Sequence, residues 1–146
     1  MHAKRKIQTG FTLIEVMITL TIAGLLAALA YPSYNRYVLQ SYRTQAQGHL
    51  LQTAYWLERA SLATGRYPTH TQQAEALATL QAQWSDTRYA IHIDSPDGHS
   101  FVLTATPQNS QSKDVCGTLT LSHTGQRGIR NLPKLSAMTA AQCWPQ

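Results

Sequence analysis

Apolar residues follow different patterns before and after Pro32. From Phe11 to Tyr31 they form a nearly unbroken run in which Glu15 is the single charged residue. As a helix, this run would be about 30 Å long at about 1.5 Å per residue, which is the thickness of one hydrocarbon core. After Pro32, apolar residues return every three or four positions. The first pattern therefore predicts a membrane-spanning helix, and the second an amphipathic one.

Both patterns fit a single helix from about Phe11 to Thr64, which Gly65 should cap. Pro32 lacks an N–H and should kink or weaken this helix without necessarily ending it. Beyond Pro32 we expect an apolar stripe of Tyr34, Val38, Tyr42, Ala46, Leu50, Ala54 and Leu57, and a polar face of Arg36, Gln40, Arg43 and Gln47. The helix would be about 80 Å long. A domain of this size cannot bury it, so lipid or other copies must cover its first half.

After Gly65 the pattern predicts a short helix followed by an antiparallel sheet. Residues 71–84 show helical periodicity within a polar connection. Residues 88–106 alternate apolar and polar side chains on both sides of a turn, as a hairpin does. We expect a third strand at 116–123 and a short fourth strand near Ile129. The sheet should cover the second half of the long helix.

The hairpin turn sets an expected register. Pro96-Asp97-Gly98 reads as a three-residue turn with Gly98 in the left-handed conformation, which would pair Ser95 with His99. The pairs on the inner face would then be Ile93 with Phe101, Ile91 with Leu103, and Tyr89 with Ala105.

The composition is that of one small domain joined to an apolar segment. The chain has 146 residues, of which 43% are hydrophobic and 13% are charged, and this is too apolar for a disordered protein. The formal charge is +5, but Lys4, Arg5 and Lys6 supply three of these charges. The remainder is nearly balanced, so the total charge says little about nucleic acid.

Cys116 and Cys143 are the two cysteines of the chain. An even pair on a chain with an export-like start predicts a disulfide in an oxidising compartment. The bond would close a loop of about 26 residues and contribute roughly 3.5 kcal/mol. The sequence contains no Cys-x-x-Cys or paired-histidine spacing for a metal, no phosphate-binding glycine loop and no hydrolase motif. We therefore expect neither a cofactor nor an enzyme activity.

The charge at Glu15 distinguishes the N-terminus from an ordinary signal peptide. A basic start and an apolar run are typical of secretory signals, but Gly10 precedes the run and no small-residue cleavage site stands out after it. An unpaired carboxylate costs about 2.5–3.5 kcal/mol near the centre of a spanning helix, and less near its end. If the chain is cut between Gly10 and Phe11, the new α-amino group lies one turn from Glu15. The carboxylate can then pair with an amine, its own or that of a neighbouring subunit.

These residues resemble the N-terminal signature of the type IV pilins. "GFTLIE", the apolar run and "YPSY" agree with that signature in cleavage position, acid position and apolar length. The resemblance implies that a prepilin peptidase removes residues 1–10, that Phe11 is N-methylated, and that Glu15 acts in assembly. It also implies that the region between Gly24 and Pro32 loosens and is extended in the fibre.

The C-terminal half is similar to the minor pilins of the PilE type, within type IVa. The similarity is carried by "LTATPQNSQSKDVCGTLTLSHTGQRG" and the closing "CW". It implies an α+β pilin fold, in which a long N-terminal α-helix with a hydrophobic first half packs on an antiparallel sheet of three to four strands, with a C-terminal disulfide loop. The implied organisation is a leader (1–10), a transmembrane and assembly helix (11–32), and a periplasmic globular domain (33–146) made of 33–64, 65–87 and 88–146.

Three functional hypotheses follow from this resemblance. In the first, the protein is a structural minor pilin held in the bacterial inner membrane. It joins other pilins through its helix at the inner-membrane assembly platform and enters an extracellular fibre that supports pilus biogenesis, twitching motility, adhesion or DNA uptake. In the second, it is a DNA-binding competence minor pilin. In the third, it is a type II secretion pseudopilin, which the C-terminal disulfide loop disfavours.

Positive charge near the C-terminus bears on the second hypothesis. Residues 113–146 contain four basic residues against Asp114 alone, namely Lys113, Arg127, Arg130 and Lys134. The simpler interpretation, which we prefer, is solvated loop charge with Trp144 packed beside Cys143. In the alternative, several copies on one fibre form a basic stripe that attracts the phosphates of DNA, and Trp144 stacks on bases.

Overall fold

The computed structural model describes residues 10–69, 73–134 and 136–144, so most of the predicted leader lies outside the described residues. The chain divides after Tyr37 into an N-terminal and a C-terminal unit. The described elements, in chain order, are α1 (Leu13–Thr64), α2 (Ala74–Trp84), β1 (Tyr89–Asp94), β2 (Val102–Pro107), a 3₁₀ helix (Asn109–Lys113), β3 (Thr118–Ser122), β4 (Arg127–Arg130) and α3 (Ala140–Cys143).

The N-terminal unit contains the first part of α1, and each of its described residues is exposed. By length and composition α1 can cross a membrane, and none of its most apolar stretch is buried. The helix continues through Pro32 to Thr64, where Gly65 adopts φ +73° and its N–H donates to the carbonyl of Ser61, as expected of a C-cap. Tyr34 departs from the prediction, because it is 65% exposed and does not join the buried stripe.

In the C-terminal unit, the second half of α1 contributes to one core with a four-stranded sheet. The strands are all antiparallel and lie in the order β1-β2-β3-β4. Ala46, Leu50 and Leu57 of α1 belong to the same buried cluster as the inner face of the sheet, and Leu77 brings α2 into it. The strand residues of this cluster are Tyr89, Ile91, Ile93, Leu103, Ala105, Leu119 and Leu121. The predicted α+β fold, with its short helix and its third and fourth strands, is confirmed.

The predicted hairpin register is wrong by two residues. The structure pairs Asp94 with Val102, so that the observed inner pairs are Ile93 with Leu103, Ile91 with Ala105, and Tyr89 with Pro107. The turn is longer because Phe101 leaves the strand and packs edge-on against Tyr67, with 4.9 Å between the ring centres. A shift by two residues keeps each side chain on its predicted face, because faces alternate with a period of two. The core residues were therefore identified correctly despite the wrong pairs.

The predicted polar face of α1 is wrong at two of its four positions. Arg36 and Gln40 are exposed, but Arg43 is half-buried and Gln47 is 6% exposed. The Gln47 side chain donates to the carbonyl of Cys143 at 2.6 Å. Gln47 bonds to the end of the disulfide-bonded loop, and Arg43 bonds to Asp114 just before its start, so both buried polar groups have partners.

Gly117 allows the chain to pass close to itself just after Cys116. Its φ is +59°, and a Cβ atom at this position would lie 2.6 Å from the carbonyl oxygen of Arg130 and 2.7 Å from that of Asn131. These are backbone atoms and cannot rotate away. A glycine here therefore sets the distance between the start of the disulfide loop and the end of β4.

We predict that Gly117→Ala lowers the free energy of unfolding by about 2–3 kcal/mol, since it adds a steric clash to a left-handed backbone. Gly125→Ala is the matched control, because Gly125 also has positive φ (+77°) but nothing within 4 Å of its Cβ position. It should cost only about 1 kcal/mol. Urea unfolding of the full chain in detergent measures both values. Equal losses would contradict the close approach.

Candidate functional site

The disulfide defines the loop that carries most of the predicted site. Cys116 and Cys143 are bonded with an S–S distance of 2.01 Å and are both fully buried. The loop between them contains β3, β4 and α3. The predicted disulfide is therefore present, and it closes the region in which three of the four predicted basic residues lie.

A buried ion pair ties the segment just before this loop to α1. Asp114, which is 1% exposed, accepts a hydrogen bond from Arg43 Nη1 at 2.6 Å. It also accepts from the Tyr89 hydroxyl at 3.0 Å, from the Gln111 amide at 3.1 Å and from the Cys116 N–H at 3.1 Å. Burial, and then the negative charge of Asp114, raise the pKa of Tyr89 well above its ordinary value. The phenol therefore stays protonated and remains a donor to the carboxylate.

Trp144 is part of the fold and is not available to stack on bases. The indole is 4% exposed, and its N–H donates to the carbonyl of Gly128 at 2.9 Å. The guanidinium of Arg127 lies 5.6 Å from the centre of the indole ring. The expected packing of Trp144 within the fold is confirmed, and the alternative in which Trp144 stacks on bases is wrong. The indole instead supports β4 and one of its arginines.

The four predicted basic residues, Lys113, Arg127, Arg130 and Lys134, are all exposed. Asp114, the one acidic residue in the same part of the sequence, is buried and paired with Arg43. The acid therefore does not offset the surface charge of its neighbours. The predicted excess of positive charge on this surface is larger than the sequence count indicated.

The structure does not place the basic residues on one flat face. In β4, Arg127 pairs with Leu121 and Arg130 pairs with Thr118. Because side chains alternate along a strand, Arg127 shares the inner side with Ile129, whereas Arg130 lies on the outer side. β4 is at the end of the described sheet. The two arginines therefore lie on opposite faces of the strand at the sheet edge. We use the name basic edge for these two arginines together with Lys113, which precedes β3, and Lys134, which follows β4.

A groove lies between α1 and the β3–β4 turn, with a volume of about 280 Å³. Leu51, Tyr55 and Glu58 line it from α1. His123 lines it from the turn, and Arg127 from the start of β4. This groove was not predicted from the sequence. The side chains that meet there come from segments that are distant in the chain, and no local motif marks them.

Glu58 and Tyr67 are linked at the groove. The Tyr67 hydroxyl donates to the Glu58 carboxylate at 2.9 Å. Burial, and then this hydrogen bond and the charge of Glu58, raise the pKa of Tyr67. Arg59, one residue further along α1, places its guanidinium 5.9 Å from the centre of the Tyr55 ring.

The predicted processing and assembly residues lie at the start of α1. Gly10 and Phe11 are exposed, and Glu15 is in the first turn. The Glu15 carboxylate accepts from the N–H and hydroxyl of Thr12, and Thr12 Oγ1 accepts from the Glu15 N–H, all at 3.4 Å. This reciprocal pattern is a capping box. Sequence reasoning missed it, although the signal Thr-x-x-Glu is present.

Gly24 lies in the interior of α1 with nothing within 4 Å of its Cβ position, and Pro32 lies further along the same helix.

Within residues 10–69, 73–134 and 136–144, no three His, Cys, Asp or Glu side chains are grouped as metal ligands would be.

A helix of this length and apolar character, joined to a four-stranded antiparallel sheet with a C-terminal disulfide, defines a type IV pilin-like protein. Residues 5–31 match the family model for the prokaryotic N-terminal methylation motif. Residues 32–120 match the model described as type IV minor pilin ComP, DNA uptake sequence receptor. The chain therefore belongs to the ComP family of type IV minor pilins.

Similar proteins include fimbrial and secretion proteins. The chain is 32% identical over 133 residues to fimbrial protein EcpC of Eikenella corrodens, covering 85% of this chain and 80% of that protein. It is 30% identical to fimbrial protein Q of Moraxella bovis, covering 84% of this chain and 83% of that protein. It is also 39% identical over 74 residues to type II secretion system core protein G of Pseudomonas aeruginosa, covering 51% of this chain and 52% of that protein.

We predict that Arg43→Met lowers the free energy of unfolding by about 3–5 kcal/mol, because it leaves Asp114 buried without its counter-charge. Arg36→Met removes the same side chain from an exposed position of α1 and should change stability by less than about 0.5 kcal/mol. The double variant Arg43→Met with Asp114→Asn should lose less than the sum of its single changes. Urea unfolding of the full chain in detergent gives these values. Strict additivity would mean that the ion pair is not coupled.

Proposed function

We propose that the protein is made as a prepilin and becomes a fibre subunit. A prepilin peptidase would cut between Gly10 and Phe11 and methylate the new amino group of Phe11. The segment 11–32 would hold the subunit in the bacterial inner membrane until the pilus assembly platform adds it to other pilins. The methylation-motif match and the uniformly exposed apolar part of α1 support this proposal. An apolar surface of that size needs either lipid or like helices around it.

Glu15 would have a different partner before and after assembly. In the subunit its carboxylate contacts Thr12. In the fibre it would pair with the amino terminus of a neighbouring subunit, because a charged amine is a stronger donor than a hydroxyl or an amide. The region between Gly24 and Pro32 would loosen as the helix leaves the bilayer, because neither residue supports a continuous helix well.

We predict that the mature protein begins with methylated Phe11. We also predict that the Glu15→Gln variant is cut normally but that its amount in sheared pili falls at least about tenfold, since the amide cannot neutralise an amine. Mass spectrometry of the N-terminus and of the fibres measures both. Thr12→Val is the control, since it removes the two capping bonds of the hydroxyl and keeps the carboxylate, so it should still be incorporated. A mature protein that starts at Met1, or normal incorporation of the glutamine variant, would refute this assignment.

We further propose that the basic edge binds DNA. The observation that carries this proposal is the burial of Asp114 against Arg43, which leaves Lys113, Arg127, Arg130 and Lys134 exposed without that acid to offset them. The ComP family description, which names a DNA uptake sequence receptor, supports it. Arginines on both sides of a strand edge are suited to contact the two phosphate backbones that border a groove of duplex DNA.

A role in secretion is the alternative, supported by the match to core protein G over about half of each chain. The pilin relatives match over a larger share of both chains. Deletion of the gene separates the hypotheses. Loss of DNA uptake with normal piliation supports the DNA receptor, loss of piliation supports a structural subunit, and failed secretion with normal pili supports the pseudopilin.

We predict that changing Arg127, Arg130 and Lys134 together to Ala weakens DNA binding at least about tenfold. The salt dependence of binding should also fall, because each lost phosphate contact removes about 0.9 from the slope of log affinity against log salt. Fluorescence anisotropy with a labelled duplex measures both, and transformation frequency should fall in parallel. The control exchanges Arg127 and Arg130 for Lys and Lys134 for Arg, which keeps the charge. DNA binding and transformation that survive the alanine variant would refute the proposal.

A further inference from the structure

The groove between α1 and the β3–β4 turn shares Arg127 with the basic edge. Its volume of about 280 Å³ is below the range that usually encloses a small molecule. The groove is therefore better suited to part of a larger molecule that lies across the surface.

Two arginine–aromatic pairs lie beside the groove, and one member of each pair, Arg127 and Tyr55, lines it. On the turn side, Arg127 lies 5.6 Å from the ring centre of Trp144, whose position is fixed by its hydrogen bond to Gly128. On the helix side, Arg59 lies 5.9 Å from the ring centre of Tyr55. Tyr55 itself is 65% exposed. A cation on either side of an exposed ring is the combination that binds sugar-phosphate strands, because phosphates contact the cations and a sugar or base packs on the ring.

Glu58 is the acidic residue that lines the groove, and its negative charge would repel the phosphates of DNA. Its carboxylate already accepts a hydrogen bond from Tyr67, but its charge remains. Surface charges are screened over a Debye length of about 8 Å at physiological salt. The charge of Glu58 therefore affects DNA binding measurably only if phosphates come this close to the groove, so it serves as a local probe of the occupant.

We propose that a DNA strand bound at the basic edge crosses this groove, with a sugar or base packed on Tyr55 and with phosphates contacted by Arg127 and Arg59. This inference rests on the proposed DNA-binding function. It extends the binding surface from the disulfide loop to the second half of α1, and it makes Tyr55 and Arg59 binding residues.

The first test uses the full chain in detergent and a fluorescein-labelled mixed-sequence duplex. Tyr55→Ala should weaken binding at least about fivefold, and Tyr55→Phe should bind like the parent, because the ring and not the hydroxyl makes the contact. Leu62→Ala is the control, since Leu62 is 86% exposed on the same helix and does not line the groove. Because Tyr55 is largely exposed, the alanine variant should keep its fold, which circular dichroism checks.

The second test uses charge. Arg59→Gln should lower the slope of log affinity against log salt by about 0.9. Glu58→Gln should tighten binding roughly two- to threefold while keeping an acceptor for Tyr67. Glu75→Gln is its control, because Glu75 lies on α2, which packs at the β1 end of the sheet. That variant should bind like the parent.

The outcomes separate this inference from the proposed function. If the alanine variant of the basic edge loses DNA while the Tyr55, Arg59 and Glu58 variants bind normally, the groove assignment is wrong and DNA binding stands. If the basic-edge variant, which also removes the groove residue Arg127, binds DNA normally, the basic edge and the proposed path of the strand across the groove are both wrong. If Tyr55→Ala reduces the amount of protein in sheared pili and leaves DNA affinity unchanged, a neighbouring subunit occupies the groove and this inference is overturned.

Discussion

The hydrogen-bonded ion pair between Arg43 and Asp114 is the interaction on which the C-terminal unit depends. A buried carboxylate is stable only when its charge and its hydrogen-bonding capacity are both satisfied, and here an arginine, a phenol, an amide and a backbone N–H share that task. These donors come from α1, β1, the 3₁₀ helix and the residue that begins the disulfide loop. One carboxylate thus fixes the helix, the sheet and the loop relative to one another, next to the covalent bond at Cys116.

The positions of the basic side chains follow from this arrangement. Gly117 brings the chain within contact of the end of β4, and Trp144 holds Gly128 from the other end of the loop. Arg127 is supported by the indole, and Arg130 follows on the opposite side of the strand. Surface arginines lose considerable side-chain entropy when they bind a ligand. Support on a fixed aromatic ring lowers that loss, so the proposed DNA contacts would start from a partly organised surface.

Periodicity was enough to predict the elements and the core of this fold, because both depend on which face a residue occupies. The faces of the hairpin were correct even though its register was not, since Phe101 moved the pairing by two residues. Burial of polar residues was not predictable. Arg43 and Gln47 look like solvated helix positions, and their partners lie 71 and 96 residues away in the chain. The same limit applies to Trp144, whose hydrogen bond to β4 has no local signal, and to the groove beside Tyr55.

The capping box at the start of α1 has a consequence for the order of events in the membrane. The bonds between Thr12 and Glu15 are long and exposed, so they hold the carboxylate weakly. Under the proposed processing, a newly inserted subunit would keep its acid occupied by a neutral, easily displaced partner while it waits in the bilayer. The Glu15 carboxylate of a free subunit would then be kept from unwanted ionic contacts but could still exchange its partner. Docking of the subunit onto the growing end of the fibre would be the step that breaks its bonds to Thr12.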